Sequence, residues 1–167
     1  MHMFPDRIRN LALLVMDEAM ERRVKIATAE SCTGGLIANR ITDVPGSSAV
    51  FTHGFVTYAN EAKRDLLGVS WDDLCEHGAV SEPVARLMAE GAMRVSGCDF
   101  AVAVTGIAGP DGGSEEKPVG TVFISLARRD GETVVLKQLH PRPRLDFKYA
   151  VSQSALNMVR RAVSGQD

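Results

Sequence analysis

The sequence predicts a three-layer α/β/α sandwich with a mixed sheet. Residues 100–104 form a continuous apolar run, which is typical of a strand buried on both faces. Residues 6–23, 81–95 and 146–163 repeat apolar side chains at helical spacing, which provides helices for both faces of the sheet. An Asp-Gly pair at 130–131 separates two strand-like segments and is a hairpin signal, so these two strands should be antiparallel.

The remaining elements follow from periodicity and from turn residues. In chain order the pattern predicts a helix over 6–23, a strand over 24–29, a turn at 33–35 opening a helix through residue 41, a loop at 45–48, a strand over 50–58, helices over 60–67, 71–76 and 81–95, a strand over 100–104, a glycine-rich loop at 106–113, strands over 119–127 and 133–139, and a helix over 146–163. We expect Gly54 to mark a bulge, Asn60 to cap its helix and Pro83 to lie in a first turn.

Composition narrows the class of protein. With 167 residues, 45% apolar and 24% charged, and a net charge of -2, the chain fits one globular domain over residues 1–167. Lysine and arginine are dispersed, so no nucleic-acid partner is expected. No signal-peptide pattern and no membrane span are expected. Cys32, Cys75 and Cys98 lack zinc-ligand spacing, which indicates reduced thiols in a cytoplasmic protein without metal or other cofactor.

Two loops leave the ends of apolar strands, where open α/β sheets bind ligands. The first, residues 28–35, places the hydroxyls of Ser31 and Thr33 beside two glycines at a helix N-terminus, which suits an oxyanion or a phosphate. The same hydroxyls are equally suited to capping the helix, and this segment alone favours neither role. The second loop, residues 105–113, carries four glycines but matches no standard nucleotide fingerprint.

A third element, residues 58–63, joins a strand to a helix and brings Tyr58, Asn60 and Lys63 within about one helical turn of each other. A lysine in such a position is more often a solvated surface charge than a catalytic group. His53, His77 and His140 form no ligand or nucleophile-partner pattern and receive no role here.

Residues 28–35 (TAESCTGG), 54–63 (GFVTYANEAK), 77–82 (HGAVSE), 105–113 (TGIAGPDGG) and 115–121 (EEKPVGT) together resemble the CinA C-terminal domain family over nearly the whole chain. The resemblance implies an anticodon-binding-domain-like α/β/α fold, often dimeric. Stand-alone members of the family are nicotinamide-nucleotide amidohydrolases of NAD salvage, and longer relatives add an N-terminal domain that this sequence lacks. The implied substrate is nicotinamide mononucleotide.

The resemblance also assigns residues. Ser31 is the implied nucleophile and Lys63 its base, with Tyr58 beside them. Glycine-loop placement and charge add the substrate-binding candidates Thr33, Gly34, Gly35, Asn60, Thr105, Gly106, Gly109, Gly112, Gly113, Lys117 and Arg144. Where the family has glycine-aspartate-arginine, this sequence has Arg142-Pro143-Arg144, and where the family has its next arginine, this sequence has Lys148. We therefore expect Arg142 to be able to replace a missing family contact to the phosphate.

Amide hydrolysis needs a nucleophile, a proton acceptor and an oxyanion stabiliser. We expect the third from backbone amides at residues 33–35 or at 105–106. Two alternatives stay open: a nucleotide-binding or competence-related module without turnover, and a serine/lysine amidase with another substrate.

Overall fold

The computed structural model describes residues 3–166 of the chain, with the side chains of residues 6–166, and these residues form six α-helices and five strands. The elements are α1 Met3–Arg22, β1 Ile26–Glu30, α2 Leu36–Thr42, β2 Phe51–Val56, α3 Asn60–Leu67, α4 Trp71–His77, α5 Glu82–Ser96, β3 Phe100–Gly106, β4 Thr121–Arg128, β5 Val134–Leu139 and α6 Arg144–Ser164. A single 3-10 turn, Ser47–Ala49, lies in the predicted loop before β2.

The strands form one sheet in the order β2-β1-β3-β4-β5. β1 runs parallel to both of its neighbours, and β4 pairs antiparallel with β3 and with β5. The predicted mixed sheet and the antiparallel pair around residues 130–131 are therefore confirmed. Because β1, β2 and β3 run in the same direction, they end at the same edge of the sheet, at Glu30, Val56 and Gly106.

The two faces of the sheet pack against different helices. α1, α2 and α6 cover a face of large aliphatic side chains, whereas α3, α4 and α5 cover a face on which the strands present alanines. The first face includes Ile26, Val102, Val104, Val122, Ile124 and Leu126, and the second includes Ala27, Ala29, Ala101, Ala103 and Ala127. This arrangement gives the predicted three layers, with a thinner helix–sheet contact on the alanine face.

Gly91 of α5 shows how close that second layer is. A Cβ on Gly91 would overlap the carbonyl oxygen of Leu67 at the end of α3. Only glycine lets the two helices approach this closely, and this contact holds α3 against α5. The position of α3 in turn sets the position of Lys63, which lies on this helix.

Most predicted elements agree with the structure to within a few residues, and three details were wrong. Ala59 is the N-cap of α3 and Asn60 is its first residue, with no side-chain cap. The register between β1 and β2 shifts between Phe51 and His53, so the irregularity precedes Gly54. Arg144 begins α6 two residues before the predicted start, whereas the proline predicted in the first turn of α5 is confirmed.

Candidate active site

A cavity of about 310 Å³ opens at the edge where the three parallel strands end. Of the residues predicted for a site, those lining it are Ser31, Tyr58, Asn60, Lys63, Thr105, Gly106, Gly109, Gly112 and Arg144. The other lining residues lie outside that prediction: Cys32, Ala79, Val80, Ile107, Ala108 and Asp111. Parallel strands bring these loops together, since the loops that follow their carboxyl ends share one edge.

Lys63 is a buried side chain, not a solvated one. It lies in the first turn of α3 and is 1% exposed. Its Nζ is 3.0 Å from Ser31 Oγ, 2.8 Å from the Thr57 carbonyl oxygen and 3.4 Å from the Tyr58 carbonyl oxygen. As an ammonium, Nζ donates to all three oxygens. As a neutral amine, it can donate its two hydrogens to the carbonyls and accept the Ser31 hydroxyl proton with its lone pair.

Burial makes that neutral form of Lys63 easier to reach. Burial removes water from the ammonium and lowers the pKa of Lys63 below its ordinary value of 10.5, while the adjacent Cys32 thiol acts in the opposite direction. A lysine with a lowered pKa is a better proton acceptor at neutral pH.

Cys32 lines the same cavity beside Ser31, but burial disfavours its thiolate form. Burial raises the pKa of the Cys32 thiol from 9.0 to about 12. The thiol is therefore protonated at neutral pH, and a protonated thiol is a poor nucleophile. Of these two neighbouring side chains, only Ser31 is hydrogen-bonded to a potential base.

Glu30 fixes the turn that carries Ser31. Its carboxylate is fully buried and accepts from the Thr33 hydroxyl at 2.6 Å and from the amides of Gly35, Ile37 and Ala38 at 3.1, 3.0 and 2.8 Å. A carboxylate at a helix N-terminus is stabilised by these unpaired amides and by the helix dipole. The Glu30 carboxylate therefore occupies the position at the N-terminus of α2 where an external anion could otherwise bind.

This arrangement changes two expectations for the first loop. Gly35, not Ser31 or Thr33, is the N-cap of α2, so Ser31 is not a helix cap. The amides of Gly34 and Gly35 donate to the Ser31 carbonyl and to Glu30, so they are not available to an oxyanion. The expectation that the amides of residues 33–35 bind an oxyanion is therefore wrong for Gly34 and Gly35. It stays a prediction for the amide of Thr33.

Arg144 joins the two other walls of the cavity. Its guanidinium donates to the Gly109 carbonyl oxygen and to Tyr58 Oη, both at 2.8 Å. Gly109 has a φ of 77° and lies against Val119, so a side chain would be strained and would overlap Val119. Thr105 donates to the Ala79 carbonyl oxygen at 2.8 Å and holds the loop before α5 at the cavity.

Five predicted substrate-binding residues do not line the cavity: Thr33, Gly34, Gly35, Gly113 and Lys117. Lys117 Nζ instead donates to the His77 carbonyl oxygen at 3.1 Å, so this lysine holds the loop after β3 to the end of α4. Sequence reasoning missed Glu30. The signal for it was present, since an acidic residue shortly before a helix start suits the N-terminal dipole.

Among the described side chains, residues 6–166, no group of three or more His, Cys, Asp or Glu is placed to hold a metal ion. No helix in the described part of the chain combines the length and the apolar character needed to cross a membrane.

The fold and the site together define an α/β protein with a buried serine–lysine pair at the carboxyl edge of its parallel strands. The profile of the CinA C-terminal domain matches residues 8–163, and the chain belongs to that family.

Relatives of known name and structure extend this finding. Nicotinamide-nucleotide amidohydrolase PncC of Escherichia coli (strain K12) is 56% identical over 117 residues, which are 70% of this chain and 71% of that protein. A CinA-like protein of Akkermansia muciniphila is 57% identical over 147 residues, 88% of this chain but 36% of that protein. The chain thus spans about a third of such longer relatives. The competence/damage inducible protein CihA from Agrobacterium tumefaciens superimposes with a TM-score of 0.92 at 45% identity, covering 98% of this chain and 99% of that one.

Proposed function

We propose that this chain hydrolyses the carboxamide of nicotinamide mononucleotide to nicotinate mononucleotide and ammonia, with Ser31 as nucleophile and Lys63 as base. The observation that carries the proposal is the 3.0 Å hydrogen bond between the buried Lys63 Nζ and Ser31 Oγ. The substrate class is inferred from the Escherichia coli relative, whose name is that of a nicotinamide-nucleotide amidohydrolase.

Acylation begins with proton transfer from Ser31 Oγ to the neutral Lys63 Nζ. Oγ attacks the carboxamide carbon, and the carbonyl π electrons move to oxygen to form a tetrahedral intermediate. The Lys63 ammonium then protonates the leaving nitrogen as the carbon–nitrogen bond breaks and the carbonyl re-forms. Ammonia leaves, and the nicotinate moiety is held as an ester on Ser31.

Deacylation uses the same two groups in reverse. Lys63, neutral again, takes a proton from water, whose oxygen attacks the ester carbon. The bond to Ser31 Oγ breaks, and the proton on Lys63 returns to Oγ. The product forms as a carboxylic acid, loses its proton to solvent water and leaves as a carboxylate.

We assign stabilisation of the oxyanion to the Cys32 amide. Within the described residues, the amides of residues 34–38 all donate to oxygens of the protein, whereas the amides of Cys32 and Thr33 donate to none of the backbone carbonyls. Of these two residues, only Cys32 lines the cavity, directly after the nucleophile. One well-placed amide donor lowers such a barrier by about 3 kcal/mol.

Charge at the mouth fits the rest of the nucleotide. Arg144 offers a planar guanidinium for the phosphate, and Asp111 offers a carboxylate to the cationic pyridinium ring. Asn60 has an amide that can bind ribose hydroxyls. Binding the phosphate would compete with the bonds that Arg144 makes to Tyr58 and to the Gly109 carbonyl.

An ammonia-release assay with nicotinamide mononucleotide, nicotinamide riboside and nicotinamide in parallel tests the proposal. We expect release from the mononucleotide and a much lower kcat/KM for the riboside, because the phosphate contributes charge-assisted hydrogen bonds. Absence of release from all three would favour the binding module, and comparable turnover of simple amides would favour a general amidase.

The resemblance also supports a cytoplasmic homodimer and a single domain over residues 1–167. Light scattering after gel filtration tests the dimer: a mass of twice 18.0 kDa is expected. A monomer at micromolar concentration would contradict it.

A further inference from the structure

A second and larger cavity shares no lining residue with the cavity described above. It is a groove of about 630 Å³ between α1 and α6, closed at one end by the segment that links β5 to α6. Each helix presents residues at positions i, i+3, i+4 and i+7 to it, from Arg7 to Leu14 on α1 and from Ala150 to Asn157 on α6. Pockets of roughly this size are typical of small-molecule sites.

The polar groups in this groove are cationic or neutral. Arg7, Arg142 and His140 contribute the cationic or ionisable groups, and Gln153 and Asn157 contribute carboxamides. Within residues 6–166, no carboxylate lines the groove. Arg7 forms no ion pair with any described residue. A surface this poor in acidic groups attracts anions.

We propose that the groove between α1 and α6 is a second binding site, for a small anion that carries phosphate groups. Arginine binds phosphate oxygens through paired charge-assisted hydrogen bonds, and carboxamides can donate to the remaining oxygens. Burial, and to a lesser extent the charge of Arg142, lower the pKa of His140 below 6.5. An anion bound beside Arg142 would counter the effect of Arg142 on His140.

Backbone hydrogen bonds connect the groove to the catalytic cavity. The His140 amide donates to the Gly120 carbonyl and the Gly120 amide donates to the Ile107 carbonyl, both at 2.8 Å. Ile107 lines the catalytic cavity. Two residues beyond Arg142, Arg144 holds Gly109. A ligand on Arg142 and His140 is thus linked to the loop after β3, which lines the cavity, and we expect it to change the KM of the nucleotide. This coupling rests on the proposed function, whereas the site itself does not.

Titration calorimetry with inorganic pyrophosphate tests the site. We expect Arg7→Ala to weaken binding at least about tenfold, the loss typical of one arginine–phosphate contact. Arg9→Ala is the matched control, since Arg9 is an exposed arginine of the same helix that does not line the groove, and its Kd should stay within about twofold of the unaltered chain. Gln153→Glu, which places a carboxylate on the α6 wall, should weaken binding as Arg7→Ala does.

Each contrary result overturns the site. No measurable heat at millimolar pyrophosphate means that the groove binds no phosphate. Equal weakening by Arg7→Ala and Arg9→Ala means that only general surface charge acts. Weakening of pyrophosphate binding by Arg144→Ala but not by Arg7→Ala means that the probe occupies the cavity at the sheet edge. Ammonia release is measured separately on the same proteins, so a failed amidohydrolase assay leaves the binding result intact.

Discussion

The loops that follow β1 and β3 meet at one cavity, yet they are held in place by different means. The loop after β1 is stabilised from within, because Glu30 accepts four hydrogen bonds from residues 33–38. The loop after β3 is exposed from residue 110 to 116 and is held from outside by Arg144 and Lys117. The first loop can therefore hold a reacting atom rigidly, and the second can adjust to a bound ligand.

The largest effect is expected at the reacting pair. Ser31→Ala should lower kcat by at least about a thousandfold. Ser31 and Lys63 are proposed to act as one unit, so removing the nucleophile also removes the contribution of its base. Lys63→Arg should fail to a similar extent, since a guanidinium stays protonated. Ammonia release under single-turnover conditions measures both.

Cys32→Ala is the matched control for that experiment. It alters a neighbouring side chain of the same turn but keeps the backbone amide. Burial raises the pKa of this thiol to about 12, and the proposed mechanism gives it no chemical role. We expect kcat to stay within about tenfold of the unaltered chain, because a small change of packing moves the neighbouring Ser31 only slightly. Turnover that survives Ser31→Ala but not Cys32→Ala would assign the nucleophile to the thiol.

Glu30→Gln tests whether the first loop is stabilised from within. A carboxamide cannot accept all four hydrogen bonds, so the free energy of unfolding should fall by about 2 to 4 kcal/mol, with hydrogen bonds to a charged group contributing about 1.5 to 3 kcal/mol each. Urea unfolding measures it. Glu61→Gln, at an exposed glutamate in the first turn of α3, should change stability by less than about 0.5 kcal/mol. Equal losses of stability in the two variants would show that the hydrogen bonds of Glu30 do not stabilise the loop after β1.

Arg144→Lys tests the external support of the second loop. A lysine cannot contact Tyr58 and Gly109 at once, so KM for the nucleotide should rise about tenfold with a smaller change in kcat, the size of one lost charge-assisted contact. Tyr58→Phe removes only the Oη acceptor, and its effect on KM should be smaller. A fall in kcat with constant KM would instead place Arg144 in the chemical step.

The smallest effect concerns pH. Lys63 must be neutral to accept a proton, so kcat/KM falls as pH drops below the pKa of Lys63 in the free enzyme, which burial lowers from 10.5. The bound pyridinium cation disfavours the ammonium further. The acidic limb of kcat should therefore lie at lower pH than that of kcat/KM, by up to about one unit. If the acidic limbs of kcat and of kcat/KM coincide while chemistry is shown to be rate-limiting, the bound substrate does not lower the pKa of Lys63.

Local signals in the chain determined most of the fold. The apolar run at 100–104, the helical periodicities and the Asp-Gly pair at 130–131 predicted the layers and the mixed sheet, because burial patterns of single elements depend on residues close in sequence. The first and second motif blocks, residues 28–35 and 54–63, also indicated Ser31 and Lys63 through the family resemblance. The groove between α1 and α6 had no such signal, since two helices far apart in the chain form it.

Tertiary structure alone decided how the site residues are used. The position of Lys63 at a strand end favoured a solvated charge, whereas the family resemblance implied a base. The fold buries this side chain against Ser31, which is 32 residues away. Lys117 looked like a phosphate ligand and is instead bound to the His77 carbonyl. The sequence determines which side chains carry a charge or a hydroxyl group. Their desolvation and their hydrogen-bond partners depend on segments that only folding brings together.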